Sequence, residues 1–235
     1  MADLPYAGGE LDLFLHARRW KTYWSSRLAP HVQGDVLEVG AGIGANTVLL
    51  RSDRQRSWLC LEPDRQLVAR LDAALAAAAL SDRCAVRTGT LADLDSGLRF
   101  DSILYIDVLE HIEDDRSEAA RAAEHLRPGG ILGVLAPAHP WLFSPFDASI
   151  GHHRRYTKAT LREAVPASLD VVELSYLDSV GMAASLINRL LLRQSLPTPR
   201  QIRTWDRLMV PCSRVLDPVL GRCVGKTVLG VWRKR

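Results

Sequence analysis

A glycine-rich segment follows a short apolar run near the start of the chain. Residues 36–47 read Val-Leu-Glu-Val-Gly-Ala-Gly-Ile-Gly-Ala-Asn-Thr, so three glycines join a predicted strand to a predicted helix. Glycines at such a turn let a ligand approach the bare backbone beside the N–H groups of the helix. The spacing Gly40-x-Gly42-x-x-Ala45 also fits a dinucleotide-binding turn, so this segment alone does not decide which cofactor binds.

The loop after the fifth predicted strand holds the densest group of side chains suited to chemistry. Residues 137–156 contain three histidines, two arginines, an aspartate and four aromatic residues. The neighbours Arg154 and Arg155 offer forked donors that match a carboxylate or a phosphate, which favours an anionic acceptor. The alternative, left equally open by the sequence, is that one of these arginines pairs with Asp147 and holds the loop in shape.

Histidines in two places have alternative roles. His111 and the nearby Asp107 follow the fourth predicted strand, at the edge where open α/β sheets bind ligands. His111 is therefore either a catalytic side chain or a residue that caps or packs a helix. A metal bound by His139, His152 and Asp147 is a weaker hypothesis, because nothing in the spacing fixes a ligand geometry, and we predict no metal site.

The elements that must position these residues alternate between short apolar runs and longer amphipathic segments. This pattern is typical of a parallel sheet covered by helices on both faces, and 235 residues suffice for one such α/β domain. The predicted strands are Asp35–Val39, Ser57–Leu61, Arg83–Thr88, Asp101–Ile106, Gly130–Ala136, Leu169–Leu177 and Lys226–Trp232. The predicted helices are Leu11–Leu28, Gly44–Arg51, Pro63–Leu80, Asp115–Leu126 and Lys158–Val165.

The connection between the last two predicted strands, residues 178–225, is far longer than a hairpin requires. Helical spacing predicts a first helix, then a break at two prolines and a second helix over Gln201–Val210. Residues 181–235 carry 11 basic and 2 acidic side chains, a net charge of +9. We expect a helical lid over an acceptor site, whose basic face either meets an anionic lipid surface or stays solvated. The residues behind this expectation are the apolar Ala183, Leu186, Ile187, Leu190 and Leu191, the basic Arg189, Arg193, Arg200, Arg203 and Arg207, and the breaking Pro197 and Pro199.

Four motifs, in this order, resemble those of the class I S-adenosylmethionine-dependent methyltransferases. The family's acidic-x-Gly-x-Gly-x-Gly turn is matched by Glu38, Gly40, Gly42 and Gly44, and its acidic residue after the second strand by Glu62. Residues 103–112, Ile-Leu-Tyr-Ile-Asp-Val-Leu-Glu-His-Ile, and residues 126–131, Leu-Arg-Pro-Gly-Gly-Ile, supply two further matches. The resemblance covers about residues 15–136 and favours this family over the nicotinamide enzymes.

This resemblance implies a Rossmann-like fold with a seven-stranded, mostly parallel sheet, helices on both faces and a helical insertion between the last two strands. It implies one methyltransferase domain over residues 1–235, with a helical cap at 1–30 and a lid at 178–225. Glu38 would lie near the amino group of S-adenosyl-L-methionine, and Glu62 would hold the ribose hydroxyls. Thr90 stands where the family has an acidic residue, so it is either an adenine contact or part of an ordinary turn. The predicted cofactor-binding residues are Glu38, Gly40, Ala41, Gly42, Gly44, Asn46, Glu62, Pro63, Thr90, Leu91, Asp107 and Leu109.

The loop after the fifth strand is similar to one in a bacterial subgroup of these enzymes associated with glycan or lipid pathways. The subgroup motif Gly-His-x-Arg-Arg-Tyr is matched by residues 151–156. Transfer from a sulfonium needs alignment and exclusion of water, and a hydroxyl acceptor also needs a base. We therefore predict methyl transfer to an oxygen, nitrogen or carboxylate of a small-molecule or lipid-linked acceptor. The predicted catalytic residues are His111, His152, His153, Arg154, Arg155 and Tyr156.

The N-terminal helix has two possible roles. In similar enzymes it covers the cofactor, so Tyr6, Trp20 or Tyr23 would close the pocket, and the alternative is that these aromatics pack in the core. The start of the chain has no signal-peptide pattern, and no apolar run is long enough to span a bilayer, so we expect a cytoplasmic protein that either is free or contacts a membrane surface.

Two other functions fit the same fold. One is a cofactor-binding or membrane-associated protein without catalysis, because a fold does not determine chemistry. The other is a nucleic-acid methyltransferase, favoured by the basic C-terminal segment. The sequence has neither an Asn/Asp-Pro-Pro-aromatic motif nor an added RNA-binding module, so we do not expect nucleic acid as a partner.

Overall fold

The computed structural model describes residues 10–187 and 198–235. Its strands are β1 (Gly34–Val39), β2 (Gln55–Glu62), β3 (Ala85–Thr88), β4 (Phe100–Ile106), β5 (Leu126–Pro137), β6 (Leu169–Leu177) and β7 (Thr227–Lys234). They form one seven-stranded sheet in the order β3-β2-β1-β4-β5-β7-β6, in which β7 runs antiparallel to both neighbours and the other pairs are parallel. The seven predicted strands and the predicted fold class are confirmed, with boundaries that agree within a few residues.

Helices cover both faces of this sheet and form its connections. They are α1 (Glu10–Phe14), α2 (Arg18–Leu28), α3 (Ala45–Leu50), α4 (Arg65–Ala77), α5 (Asp115–His125), α6 (Pro145–Ser149), α7 (Lys158–Ala164), α8 (Ser179–Ile187), α9 (Pro199–Thr204) and α10 (Val210–Val219). The helix predicted from Pro63 begins at Arg65 instead, because the side chain of Asp64 accepts the backbone N–H groups of Gln66 and Leu67 at 2.6 and 3.2 Å. Such a capping side chain fixes the first residue of a helix.

Successive residues of the central strands point into two separate layers of the core. Val36 packs in the layer that contains the aromatic residues of α2, and its neighbour Leu37 packs in the layer that contains α5. Both side chains are fully buried, as are Leu104 and Ile103 on β4. Burial of each aliphatic side chain stabilises the fold by about 1.5–3 kcal/mol, so apolar residues on both faces of these strands are required.

The N-terminal helix predicted over Leu11–Leu28 is wrong at residues 15–17, where a turn separates α1 from α2. The residue before α2, Ala17, has no side chain that can accept the first N–H groups of the helix. A carboxylate distant in sequence does so: Asp206 accepts the N–H of Arg19 at 3.2 Å and that of Trp20 at 2.8 Å. The start of α2 is therefore fixed by a tertiary contact.

The long connection between β6 and β7 is helical. After α8, α9 leads through a π-helical stretch (Trp205–Met209) directly into α10, so the second helix predicted over Gln201–Val210 is wrong at both ends. Pro211 has no N–H to donate to the carbonyl of Arg207, and the guanidinium of Arg19 donates to that carbonyl at 3.0 Å. Within the described ranges, every helix is too short or too polar to cross a bilayer. The predictions for Tyr6, Arg189, Leu190, Leu191, Arg193 and Pro197 lie outside the described residues.

The carboxylate of Asp217 on α10 joins three elements. It is fully buried, accepts the hydroxyl of Tyr23 on α2 at 2.8 Å, and accepts the backbone N–H groups of Asp178 and Ser179 at 2.7 and 3.0 Å. Burial and the bond to Asp217 raise the pKa of the Tyr23 hydroxyl, which therefore stays a donor. This carboxylate ties the N-terminal helix, the end of β6 and the insertion together.

We expect the Asp217→Ala variant to lose about 3 kcal/mol of unfolding free energy, because three buried donors lose their acceptor. Urea unfolding followed by circular dichroism measures this loss. The matched control is Asp170→Ala, which removes an exposed carboxylate paired with Arg235 and should change stability much less, because solvent screens an exposed ion pair. Equal effects of the two substitutions would contradict the assigned role of Asp217.

Candidate functional site

A large cavity of about 1570 Å³ opens at the carboxyl edge of the parallel strands. It extends from the turn after β1 to the loop after β5, with α8 and α9 on a further side. Of the predicted site residues, those that line the cavity are Gly40, Ala41, Gly42, Asn46, Glu62, Pro63, Thr90, Asp107, His111, His152 and Arg155. Those outside its lining are Glu38, Gly44, Leu91, Leu109, His153, Arg154 and Tyr156. The cavity is large enough for two organic ligands, since single-ligand sites measure about 300–1,000 Å³.

The three positions of the turn after β1 require glycine for different structural reasons. All three have positive φ, at 67° for Gly40, 57° for Gly42 and 77° for Gly44. A Cβ on Gly40 would lie 2.7 Å from the Val108 side chain, and one on Gly44 would lie 2.6 Å from Leu71. Gly42 has no neighbour that close, so its backbone is the part of the turn most open to a ligand.

The carboxylate of Glu62 joins the end of β2 to this turn. Its Oε2 accepts the N–H of Gly42 at 2.8 Å and its Oε1 accepts the N–H of Asp64 at 3.0 Å. Burial raises its pKa, and the two N–H bonds partly offset that effect. A carboxylate oxygen has two lone pairs, so each oxygen keeps an acceptor site that a ligand hydroxyl in the cavity can use.

The predicted contact of Glu38 with the cofactor has no support in its geometry. Its side chain is buried outside the cavity lining, and its Oε2 accepts the Thr47 hydroxyl at 2.6 Å and the Trp58 indole N–H at 3.0 Å. Burial raises the pKa of this carboxyl to about 7, although both hydrogen bonds lower it. Glu38 therefore connects β1, α3 and β2 behind the turn.

Thr90, after β3, both lines the cavity and forms part of a turn, which were the two roles considered for it. Thr90 lines the cavity and also begins a short 3₁₀ turn, in which its N–H and hydroxyl donate to Asp93 at 2.8 and 2.9 Å. Leu91 and Leu109, both predicted to contact the cofactor, are instead fully buried core residues. Their side chains stabilise the walls of the site from behind.

Two histidines form part of the cavity wall. The rings of His111 and His152 meet edge to face, with 4.5 Å between centroids. Nδ1 of His152 lies 3.0 Å from Oδ1 of Asp147, and its Nε2 lies 3.8 Å from Oε1 of the buried Glu110. Burial lowers the pKa of His111 to about 4, which keeps its ring neutral at pH 7.

The adjacent arginines are engaged within the protein. Arg155 donates from Nε and Nη2 to the two oxygens of Asp147, each at 2.9 Å. Arg154 pairs with Asp115 at 2.8 Å, and the Tyr156 hydroxyl donates to the same carboxylate at 2.7 Å. The structure thus supports the loop-holding alternative and leaves neither arginine with a free fork for an anionic acceptor.

The remaining loop histidines are also separate from this wall. His153 is exposed and outside the cavity lining, so its predicted catalytic role, like those of Arg154 and Tyr156, has no geometric support. His139 stacks on Tyr176 at 4.7 Å and lies 3.0 Å from the Gly225 carbonyl through Nε2. His139 therefore does not join His152 and Asp147, as the metal site considered from the sequence would require.

Two lysines that the sequence did not reveal also line the cavity. Lys21 on α2 and Lys226 before β7 are both near enough to Asp107, which is itself exposed to the cavity, to favour the charged form of its carboxyl. Burial lowers the pKa of both lysines, and nearby carboxylates oppose that effect. Nζ of Lys226 lies 3.4 Å from Asp178 and 3.8 Å from the ring centroid of Trp205.

The sequence contained a signal for one of these lysines and none for the other. Lys21 lies one helical turn from Ala17 and Trp24, and all three line the cavity, so the face of α2 carried some information. Trp20 lines the cavity and is buried in the core, as both alternatives allowed, whereas Tyr23 contacts Asp217 instead. Lys226 reaches the site only because β7 pairs antiparallel with β5, which local spacing does not encode.

Comparison with known families gives a match over the part of the chain that forms the glycine turn. Residues 37–132 match the family model described as "Methyltransferase domain". Among curated protein sequences, none matches this chain at a significant level.

Solved structures with the same fold have diverse activities. Coclaurine N-methyltransferase bound to N-methylheliamine and S-adenosylhomocysteine is 12% identical, with a TM-score of 0.63 over 93% of this chain and 72% of that one. The N-methyltransferase NodS from Bradyrhizobium japonicum WM9, in complex with S-adenosylhomocysteine, is 15% identical, with a TM-score of 0.53 over 93% and 85%. The [4+2]-cyclase SpnF is 17% identical, with a TM-score of 0.61 over 90% and 80%. These likenesses establish the fold.

The turn predicts the outcome of a binding measurement. Gly42→Asp places a second carboxylate beside Glu62, and Glu62→Ala removes the acceptor for ligand hydroxyls. Each should weaken S-adenosylhomocysteine binding at least about tenfold in calorimetry, since a charged hydrogen bond contributes roughly 1.5–3 kcal/mol. Gly129→Asp is the matched control, because Gly129 has a similar φ of 76° and open space around it, away from the cavity lining. Unchanged binding in both test variants would refute this cofactor site.

Proposed function

We propose that the chain is a class I S-adenosylmethionine-dependent methyltransferase, and that it methylates an oxygen, including that of a carboxylate, or a nitrogen of a small acceptor that is carried at an anionic lipid surface. The observation that carries this proposal is the continuity of one cavity, which joins the glycine turn to the histidine wall and continues beneath the insertion helices. Cofactor and acceptor then share one continuous space.

The turn and β2 fit one end of the cofactor. Gly42 leaves room for close backbone approach, and Glu62 offers acceptor sites for a diol. Pro63 and Thr90 line the same side of the cavity. S-Adenosyl-L-methionine, when bound, supplies a methyl group already activated by its sulfonium charge. The protein therefore has to orient the two reactants and exclude water.

The cavity lining also holds polar groups suited to orienting an acceptor. Asp107, Lys226 and His152 face it from three different elements, and apolar residues such as Trp20 and Trp205 enclose them. In such a partly desolvated space, charges and hydrogen bonds act more strongly than in water. The mixture of one carboxylate, one lysine and one imidazole suits a polar acceptor better than an extended anion.

Mass spectrometry tests methyl transfer directly. The purified protein, incubated with methyl-labelled S-adenosylmethionine and a panel of small polar compounds and extracted lipids, should produce a labelled product. With the acceptor so found, His152→Ala should lower kcat roughly a hundredfold and leave S-adenosylhomocysteine affinity within about threefold, because the imidazole contacts only the acceptor end. His31→Ala, at the far edge of the sheet, is the control. Cofactor binding without product from any acceptor would favour the non-catalytic alternative.

The outer face of the insertion supports the lipid part of the proposal. Leu208, Val215 and Val219 follow one side of the helix formed by α9 and α10, and are 65%, 69% and 79% exposed. Arg207 and Arg214, also exposed, each precede one of these apolar residues and form a parallel basic stripe. Such large apolar side chains beside a row of cations are typical of helices that lie in a membrane interface.

The first insertion helix also has exposed apolar residues. Ala183, Leu186 and Ile187 on α8 are exposed rather than packed on the domain, whereas Ala184 and Ser185 on the same helix line the cavity. The helical segment therefore has one face toward the cavity and another toward the outside. We place the lipid on the outer face, so that an acceptor carried there enters beneath α8 and α9.

Vesicle co-sedimentation tests this placement. The protein should bind vesicles of phosphatidylcholine with phosphatidylglycerol but not of phosphatidylcholine alone, and high salt should release it. Each basic side chain near an anionic surface contributes about 1 kcal/mol, so the double substitution Arg207→Glu and Arg214→Glu should weaken binding roughly tenfold or more. The control pair Arg65→Glu and Arg162→Glu changes the net charge equally on other faces. An equal loss in the control pair, or no binding at low salt, would remove the lipid surface from the proposal.

A further inference from the structure

We propose that Glu110, His111 and His152 form a binding site for one divalent transition-metal ion of the zinc class, at the acceptor end of the cavity. This inference differs from the expectation of no metal site, and from the His139, His152 and Asp147 grouping considered first. Binding of the ion stands on the geometry of these three side chains. Its use in methyl transfer rests on the proposed function.

The three side chains already present their ligand atoms to one another. One atom from each of Glu110, His111 and His152 lies within 4.8 Å of the other two. Nε2 of His152 and Oε1 of Glu110 are 3.8 Å apart. Tetrahedral coordination with bonds of about 2.0–2.1 Å needs donors roughly 3.3 Å apart, so small side-chain rotations complete the site.

The buried Glu110 carboxylate lacks hydrogen-bond partners in the described part of the chain, and this indicates that a ligand binds it. Its side chain is fully buried, and among the described residues neither oxygen has a hydrogen-bond partner. A buried carboxyl group without hydrogen-bond partners destabilises the fold in either protonation state. The ionised form loses its hydration, and the protonated form lacks an acceptor for its proton. A metal ion beside the two histidines would satisfy these oxygens.

His152 is held from the side that a metal would not occupy, and the backbone approaches one ring nitrogen of His111. Nδ1 of His152 donates to Asp147 at 3.0 Å, which directs Nε2 toward Glu110, and Arg155 holds Asp147 in place. The backbone of Gly151 lies at the Nδ1 side of His111. Metal-binding histidines commonly have their second ring nitrogen fixed by a carboxylate or a carbonyl in this way.

The ligand set indicates the class of ion and its task. Two imidazoles and one carboxylate suit Zn²⁺ and its neighbours in the first transition series better than Mg²⁺ or Ca²⁺, which prefer oxygen ligands. All three residues line the cavity, so a further coordination position would face the acceptor. An acceptor oxygen held there would be oriented toward the glycine turn, and a hydroxyl would release its proton more readily to water in the cavity.

Calorimetry of the full-length protein, treated with a chelator and then titrated with Zn²⁺, tests the site. We expect one ion per chain, with affinity at least about a hundredfold lower in Glu110→Gln and in His152→Ala. His153→Ala is the matched control, since this exposed histidine of the same loop lies outside the cluster. Its Zn²⁺ affinity should equal that of the unaltered protein.

Thermal unfolding distinguishes a metal site from a structural role of Glu110. Zn²⁺ should raise the Tm of the unaltered protein and of His153→Ala, but not of Glu110→Gln. Without metal, Glu110→Gln should be no less stable than the unaltered protein, because the carboxylate has no hydrogen bond to lose. Absence of Zn²⁺ binding, or equal binding in Glu110→Gln and His152→Ala, would overturn the inference. S-Adenosylhomocysteine binding measured on the same samples separates this outcome from failure of the methyltransferase proposal.

Discussion

The cavity depends on two buried carboxylates, Asp206 and Asp217, which are the two acidic residues of the strongly basic segment 181–235. Each accepts donors from the N-terminal helix: Asp206 takes backbone N–H groups at its start, and Asp217 takes the Tyr23 hydroxyl. Two parts of the chain almost 200 residues apart thereby close over the same edge of the sheet. Trp20 and Trp205, which these contacts bring together at 5.8 Å, then line the cavity from both parts.

The features that the sequence predicted are those set by local rules. Alternating apolar runs predicted a parallel sheet, and the strands of such a sheet end at a common edge, which brings Gly42, Glu62 and Asp107 to one cavity. The glycines were predictable because positive φ excludes most other residues. His111 followed from the same edge argument, and His152 followed from the dense loop after β5 and its Gly-His-x-Arg-Arg-Tyr motif.

The features that sequence did not predict depend on the direction of side chains and on distant partners. Glu38 fits its motif, yet its carboxylate points to Thr47 and Trp58, a choice made by packing on β2. The side-by-side Arg154 and Arg155 suggested a free anion site, and their actual partners, Asp115 and Asp147, are known only once the loop is folded. Lys226 likewise becomes a site residue through strand pairing alone.

The π-helical stretch between α9 and α10 makes the length of this segment as constrained as its composition. An α-helix advances about 100° per residue, so one residue more or fewer rotates everything beyond it by about that angle. Upstream of the stretch the helix directs Ile202 inward, and downstream it must direct Asp217 toward Tyr23 while Val215 and Val219 face outward. A π-helical turn contains one residue more than an α-helical turn, and that residue sets the rotation of α10 relative to α9. Homologous chains that keep both halves should therefore preserve the residue count here even where the residues themselves differ.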